Sequence, residues 1–486
     1  MFEKIKETGI YFIGTIGVAV ISFVISLLYS DMFTTDDYGL YSLIAALYNL
    51  LYQLFTGWMT HSILCFYPKE KDNENAKSLR NTMLFVLFVV SAIFVIIICA
   101  GSFIYRTSPL LRQMCIVYIG VFFFEGLLLI FNTFIRAEGN SKQYSINTIL
   151  NSIIKSVAIV VLYYIIGFKS VTVIIVSLLT AELVQSIYIF VKYKWGKIIN
   201  VKWISKNLLR QVIKFGYPLI AVSVIFNVLT YSDRYIIRLF QTTSQVGLYS
   251  YGYNMGNALF YTMTNGIMLG AYPRLTKEWV SSGRKKTEEM MTEYLNMFCY
   301  LMIPATVGVI VTGSRIIQTL CNQNYWASSS VFVITCISYT AYGFAQYTNK
   351  AWELTTNTKV ILRLNIISAV LNIVLNFGLI PKFGYVIAAV TTLISFVIYI
   401  ILSVFLSRRI FTFRFGKKNM INIIISSSVM LAVLCVLENH LKKGLMMLAV
   451  EILIGVVVYV MMLFILQDKI IRTVLKNVIT RIRERV

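Results

Sequence analysis

Histidine is almost absent from this 486-residue chain. His61 and His440 are too few and too far apart to build a metal site, so zinc-type chemistry has no ligand set. Cysteine is scarce as well. Cys65, Cys99, Cys115, Cys299, Cys321, Cys336 and Cys435 all fall in or at the ends of apolar runs, which argues against a disulfide framework or a metal cluster. Acidic residues number 21 against 44 Lys and Arg, and charged residues make up only 13%. The connections between apolar runs on one side of the pattern are short, which leaves no room for an extracellular domain.

What is present is hydrocarbon. The chain is 58% hydrophobic with a mean hydropathy of +0.75, far more apolar surface than a soluble core needs. It arrives in about fourteen long, sparsely charged runs, each of membrane-crossing length. They cover 10–30, 38–61, 82–105, 110–134, 146–166, 171–191, 215–240, 246–270, 295–319, 328–348, 360–380, 384–406, 420–437 and 445–467. The fold class expected is therefore an all-α integral membrane protein, multi-pass in the cell membrane. The first run is long and leads directly into the next, so it reads as a span and not as a cleavable signal.

A net charge of +23 would suggest nucleic acid in a soluble chain, but here its distribution says otherwise. Most of the lysines and arginines fall in alternate connections, which places both termini in the cytoplasm by the positive-inside rule. The richest inner stretches are Lys192 to Lys214, Arg274 to Lys286 and Arg408 to Lys418. These suit anionic headgroups, so membrane lipids are expected partners and nucleic acid is not.

The chain also repeats itself. Gly39-Leu40-Tyr41-Ser42 recurs as Gly247-Leu248-Tyr249-Ser250, Ser30-Asp31 as Ser232-Asp233, and Tyr67-Pro68 as Tyr272-Pro273, in the same order and at nearly constant spacing. Six spans separate the copies, and an even number makes the repeats parallel. The organisation expected is a first lobe over 1–200 (spans one to six), a second over 201–409 (spans seven to twelve), and two terminal spans with a basic tail over 410–486. Lys192 to Lys214 is the expected hinge linker between lobes.

Thr35-Asp36-Asp37-Tyr38-Gly39-Leu40-Tyr41, Arg136-Ala137-Glu138-Gly139-Asn140, Ser232-Asp233-Arg234-Tyr235-Ile236-Ile237 with Val246-Gly247-Leu248-Tyr249, and Asn372 to Asn376 with Ile380-Pro381-Lys382-Phe383-Gly384 carry a family resemblance. Together they resemble the polysaccharide transporter family, Wzx-type oligosaccharide flippases of the multidrug/oligosaccharidyl-lipid/polysaccharide superfamily. The resemblance implies MATE-like lobes and export of a polyprenyl-pyrophosphate-linked oligosaccharide by alternating access. It implies no cofactor, and it places the polymerase and glycosyltransferases of the same pathway among possible partners.

Polar residues at helical spacing inside spans must face protein or water, because lipid cannot satisfy them. Asn49, Gln53 and Thr56 share a face of span two, with His61 further along. Asn254, Asn257, Tyr261 and Thr264 form the matching stripe of span eight. Span seven carries Ser223, Asn227, Tyr231, Arg234 and Arg238 on one face. Helix–helix bonding accounts for such stripes as well as a hydrated cavity does. On the implied substrate, Arg234 and Arg238 are candidates for binding a pyrophosphate bidentately, and Arg274 and Arg363 for admitting it from the cytoplasm.

Glu125, Lys155 and Glu182 lie about 13 Å from the inner ends of spans four, five and six. Ionisable groups at one depth on successive helices are expected to meet, as a structural ion pair or as a proton or sodium coupling site. Pro218 and Pro304 are candidate bends. Three other readings stay open: a cation-coupled multidrug exporter, a lipid II flippase, and a membrane glycosyltransferase or polymerase built on Asp36-Asp37. Against the last, Thr34 to Asp37 serves equally as a helix cap.

Overall fold

The computed structural model describes residues 2–70, 74–104, 108–197, 199–355, 357–408, 410–411, 417–440 and 444–468. The basic tail beyond Asp468 and the expected lobe boundary at Arg409 lie outside the described residues. Every regular element described is helical: α1 (Phe2–Met32), α2 (Thr35–Glu70), α3 (Glu74–Ile104), α4 (Pro109–Ala137), α5 (Ser141–Val160), α6 (Val173–Lys192), α7 (Lys206–Phe240), α8 (Thr243–Gly256), α9 (Thr262–Leu320), α10 (Ser329–Leu354), α11 (Thr358–Phe383), α12 (Val386–Ser407), α13 (Lys417–His440) and α14 (Leu445–Ile465). The fourteen spans read from the sequence match these in order, except that span eight runs from α8 into the start of α9.

Helix is the outcome because a chain in hydrocarbon must bond its own amides. Ten of the helices are long and apolar enough to cross a membrane. Among the described residues α2, α7 and α10 hold no such apolar stretch and α8, with 14 residues, is too short; α2, α7 and α8 carry the polar stripes. α9 holds two legs, because Gly283 (φ 71°, ψ −164°) leaves helical space and turns the chain back at the inner side. That reversal, and not Pro304, is where α9 departs from helical geometry. Wide π-type turns at Val161–Ile165 and Asn257–Tyr261 extend α5 and join α8 to α9.

The helices form two compact units, Met1–Ser250 with Asn365–Ala388, and Tyr251–Leu364 with Ala389–Val486. This grouping follows packing and the expected lobes follow the repeat, so the two divisions differ. In the first unit the most extensive interface joins α2 to α7. Near its inner end the Trp58 ring covers Gly216, where an added β-carbon would come within 2.5 Å of it. Toward the other end, Tyr235 donates to the Leu43 carbonyl at 2.7 Å.

The connection from Lys192 to Lys214, expected as the hinge linker, packs on α3 and α4 of the first unit. Trp195 is buried against Phe131 (4.5 Å) and Phe134 (5.8 Å), since an indole gains several kcal/mol by leaving water. The amide of Asn200 donates to Asn81 Oδ1 at 2.8 Å and that of Ser205 to Thr82 Oγ1 at 3.2 Å.

In the second unit α13 and α14 are anchored to α9 at two levels. Arg315 meets Glu451 at 3.0 Å, and both side chains are buried. Asp468 accepts from Tyr300 at 2.6 Å and from Asn422 at 2.9 Å.

Candidate functional site

In the first unit a cavity of about 430 Å³ opens between α1, α2, α4, α5 and α6. Its walls include Glu125, Asn132 and Arg136 of α4, Tyr144 and Asn151 of α5, and Glu182 and Gln185 of α6. The sequence places Glu125 and Glu182 at one depth, and the fold puts both carboxylates on this one cavity. Glu125 accepts from the Tyr48 hydroxyl, whose ring stacks on Tyr118 at 4.2 Å. Glu182 is 6% exposed. Lys155 is within electrostatic reach of both carboxylates, but among the described residues no direct ion pair joins it to either.

A chain of amides lies beside this cavity. Lys192 donates to Gln143 Oε1 (2.9 Å), Gln143 to Asn147 (2.7 Å), Asn147 to Asn132 (2.9 Å), and Gln185 to the Asn147 carbonyl. Gln143, Asn147, Asn151 and Lys155 recur every four residues along α5. That stripe was present in the sequence and was missed there. An oxygen-rich cavity with two carboxylates and a polar route toward the inner end of α6 can bind and pass a proton or a small hard cation.

The stripes of α2 and α7 are mostly turned onto the protein. Asn49 donates to the Ala45 carbonyl, Thr56 to that of Tyr52 and Asn227 to that of Ser223, each four residues back. Gln53 is half-buried and His61 exposed. Arg234 is 2% exposed, donates to Ser250 Oγ at 3.0 Å and lies 4.8 Å from the Tyr231 ring. Its guanidinium is engaged by the protein in this conformation. Arg238 is exposed, as is Arg363, and Arg274 is half-buried with Tyr294 Oη at 3.2 Å.

Next to Arg234, Asp233 is fully buried and accepts from the Tyr249 hydroxyl and from Asn376 Nδ2 at 2.6 Å, with Asn372 joined to Asn376 at 3.1 Å. This brings the repeated quartet and the Asn372-to-Asn376 pattern into one network. In the second unit Asn257 donates to the Tyr339 hydroxyl at 2.7 Å, and Tyr261 packs on Tyr339 at 5.2 Å. Asn254 is half-buried there. Both Asn257 and Tyr261 sit in the π-type turn, a distortion frequent at functional positions.

The two quartets meet in the first unit. A β-carbon on Gly39 would fall on the Thr243 carbonyl and lie 2.9 Å from the Gly247 amide nitrogen. One on Gly247 would fall on the Thr35 carbonyl and lie 3.1 Å from the Gly39 nitrogen. Thr35 and Ser244 hydroxyls bond at 2.6 Å beside them. The contact is reciprocal, as a local two-fold between duplicated segments requires, and only glycine lets the two helix starts come this close.

Each Tyr-Pro tyrosine is also tied to an acid and a cation. Tyr67 donates to Glu138 at 2.9 Å, and Arg80 pairs with Glu138 at 2.7 Å while lying 5.5 Å from the rings of Tyr67 and Trp195. In the second unit Lys350 pairs with Glu353 at 2.7 Å and lies 4.3 Å above the Tyr272 ring. The alternative role of Asp36-Asp37 is weakened, because Thr34 donates to Asp37 at 2.7 Å and accepts from its amide, as a cap does. Arg80, Arg315 and Glu451 were not singled out from sequence, because their partners lie far away in the chain.

The fold is shared with solved membrane transporters. Solved structures of the lipid II flippase MurJ in an inward closed conformation (TM-score 0.76, 16% identity, 95% of this chain and 99% of that one) and of an inward-facing MATE multidrug resistance transporter (0.63, 12%, 80% and 94%) share the fold. The model of the family described as polysaccharide biosynthesis protein matches residues 5–279, over half the chain, and the chain belongs to that family. A probable low-salt glycan biosynthesis flippase, Agl15 of Haloferax volcanii, is 24% identical over 251 residues, 51% of this chain and 53% of that one. The chain thus matches about half the length of that relative. The protein is a multi-pass membrane protein of the polysaccharide biosynthesis family.

Proposed function

We propose that the chain moves a polyprenyl-pyrophosphate-linked oligosaccharide from the cytoplasmic to the outer leaflet by alternating access, for surface polysaccharide synthesis. The observation that carries this reading is the polysaccharide biosynthesis family match over residues 5–279, beside one relative named as a probable glycan biosynthesis flippase and another named as a probable flippase. Exposed Arg238 and Arg363 and half-buried Arg274 supply guanidinium groups for the anionic headgroup, while buried Arg234 holds Ser250 at the start of span eight. A doubly charged headgroup moving outward gains about 4–5 kcal/mol per 100 mV of inside-negative potential. A coupled proton or sodium ion, held where Glu125 and Glu182 face one cavity, then resets the empty carrier.

The test is flipping of a polyprenyl-pyrophosphate oligosaccharide by the reconstituted chain, with fluorescent lipid II and a cationic drug as comparison cargos. Export of the drug with no flipping of the glycan lipid would move the assignment to multidrug export. A preference for lipid II would move it to that cargo. Loss in Arg238→Ala and Arg363→Ala is expected; unchanged flipping in both would place the headgroup elsewhere.

A further inference from the structure

A cavity in the second unit has no part in the site above. It encloses about 650 Å³ between α9, α10 and α12. Leu295, Ala341, Phe344, Ile400 and Val404 supply its apolar wall, and Arg408 is its one charged lining residue among the described residues. Volume and composition both match a small-molecule site, which is mostly apolar with one fixed polar group.

The hydroxyls on the wall are already satisfied by protein. Thr306 bonds Thr340 at 2.7 Å, Tyr347 donates to the Tyr294 carbonyl at 3.1 Å, and Thr348 accepts from Ser403 at 2.7 Å. A sugar or a water cluster would find few partners inside, whereas a hydrocarbon chain needs none. The depth also fits a chain. Ile400 to Arg408 rises about 12 Å along α12, and Ile337 to Thr348 about 16 Å along α10. That is close to the hydrocarbon thickness of a single leaflet, about 15 Å.

The charge sits at the right end. Arg408 closes α12 on the side where basic residues cluster in the sequence, the cytoplasmic side by the charge rule. It is exposed, rests 5.7 Å from the Phe405 ring, and among the described residues has no acidic partner. Phe411, buried against Trp279 at 5.6 Å, forms part of the lining next to it.

We infer that this cavity binds an anionic phospholipid of the cytoplasmic leaflet, with one acyl chain between α9, α10 and α12 and its phosphate on Arg408. The site is separate from the route of the transported lipid.

The full-length chain, delipidated in detergent, is titrated with phosphatidylglycerol or phosphatidylcholine, and bound lipid is counted by native mass spectrometry. One phosphatidylglycerol should bind preferentially. Arg408→Gln should weaken it about fivefold, the worth of one surface cation, and Arg408→Lys should restore most of the loss. Ala341→Trp and Val404→Trp, from opposite walls, should abolish the adduct. Wild-type binding in either tryptophan variant would overturn the inference, as would equal binding of phosphatidylcholine by the wild type. Displacement by polyprenyl phosphate at lower concentration would also overturn it, by assigning the cavity to the carrier lipid. If both tryptophan variants misfold, the Arg408→Gln and Arg408→Lys pair decides.

Discussion

Replacing Gly247 by alanine should trap or slow the transport cycle through a single methyl group. The new β-carbon would fall on the Thr35 carbonyl, where ordinary contact begins at 3.4 Å. The obstacle is backbone in the first turn of α2, so no side-chain rotation relieves it. The two helix starts must part by about 1 Å or more, at an overpacking cost of about 1–3 kcal/mol. Parting also strains the Thr35–Ser244 hydrogen bond, a further loss of about 0.5–1.5 kcal/mol. A total of about 1.5–4.5 kcal/mol disfavours the conformation seen here by roughly tenfold or more. Gly39→Ala should act alike, because the contact is reciprocal.

The direct assay is oxidative cross-linking of a Thr35→Cys/Ser244→Cys pair, whose parent hydroxyls are 2.6 Å apart. It should form readily in the otherwise native chain and at least tenfold more slowly with Gly247→Ala added. Glycan-lipid flipping in the single variant should fall with it. Cross-linking and flipping at native rates in Gly247→Ala would refute the argument that this contact must close in every cycle.

Glu125→Gln together with Glu182→Gln should abolish the pH or sodium dependence of flipping; the same dependence in the double variant would remove coupling from this cavity. Arg315→Ala should lower stability by about 3–5 kcal/mol, because it strands Glu451, which is fully buried, without its cation. Arg315→Leu/Glu451→Leu should be milder than either single change in thermal unfolding, and a double variant as damaged as the single would contradict this. Arg80→Ala should cost about 2–3 kcal/mol, from a charge-assisted bond to Glu138 and stacking on three rings, and should loosen the connection at Trp195. Limited proteolysis between Lys192 and Lys214 reads that loosening, with faster cleavage expected in the variant than in the wild type.

Much of the fold is legible because hydrocarbon imposes a simple code. A run too apolar for water and long enough for a bilayer becomes a helix, and fourteen such runs return as fourteen helices. The duplication is equally plain, since Gly39 and Gly247 can be matched by eye. The candidate site was only half legible. Depth counting put Glu125 and Glu182 on one level, and both line one cavity. The same counting expected Lys155 between them in direct contact, but helix rotation decides whether equal depth becomes a salt bridge. Arg234 shows the limit most clearly. Its spacing places it on a polar face, yet that face packs on Ser250 and Tyr231 in the first unit.

From sequence alone came the membrane, the spans, the bias of charge to one side, the family resemblance and the two copies of one motif. These follow from transfer free energies and local periodicity, which need no knowledge of neighbours. Tertiary structure decided that the two quartets pack on each other through bare glycine backbone. It also decided that the basic connection is held by Trp195, and that an apolar cavity closes around Ala341 and Val404 with Arg408 in its lining. Each of these depends on which residues distant in the chain come to lie side by side, and packing at that range is set by the whole bundle together.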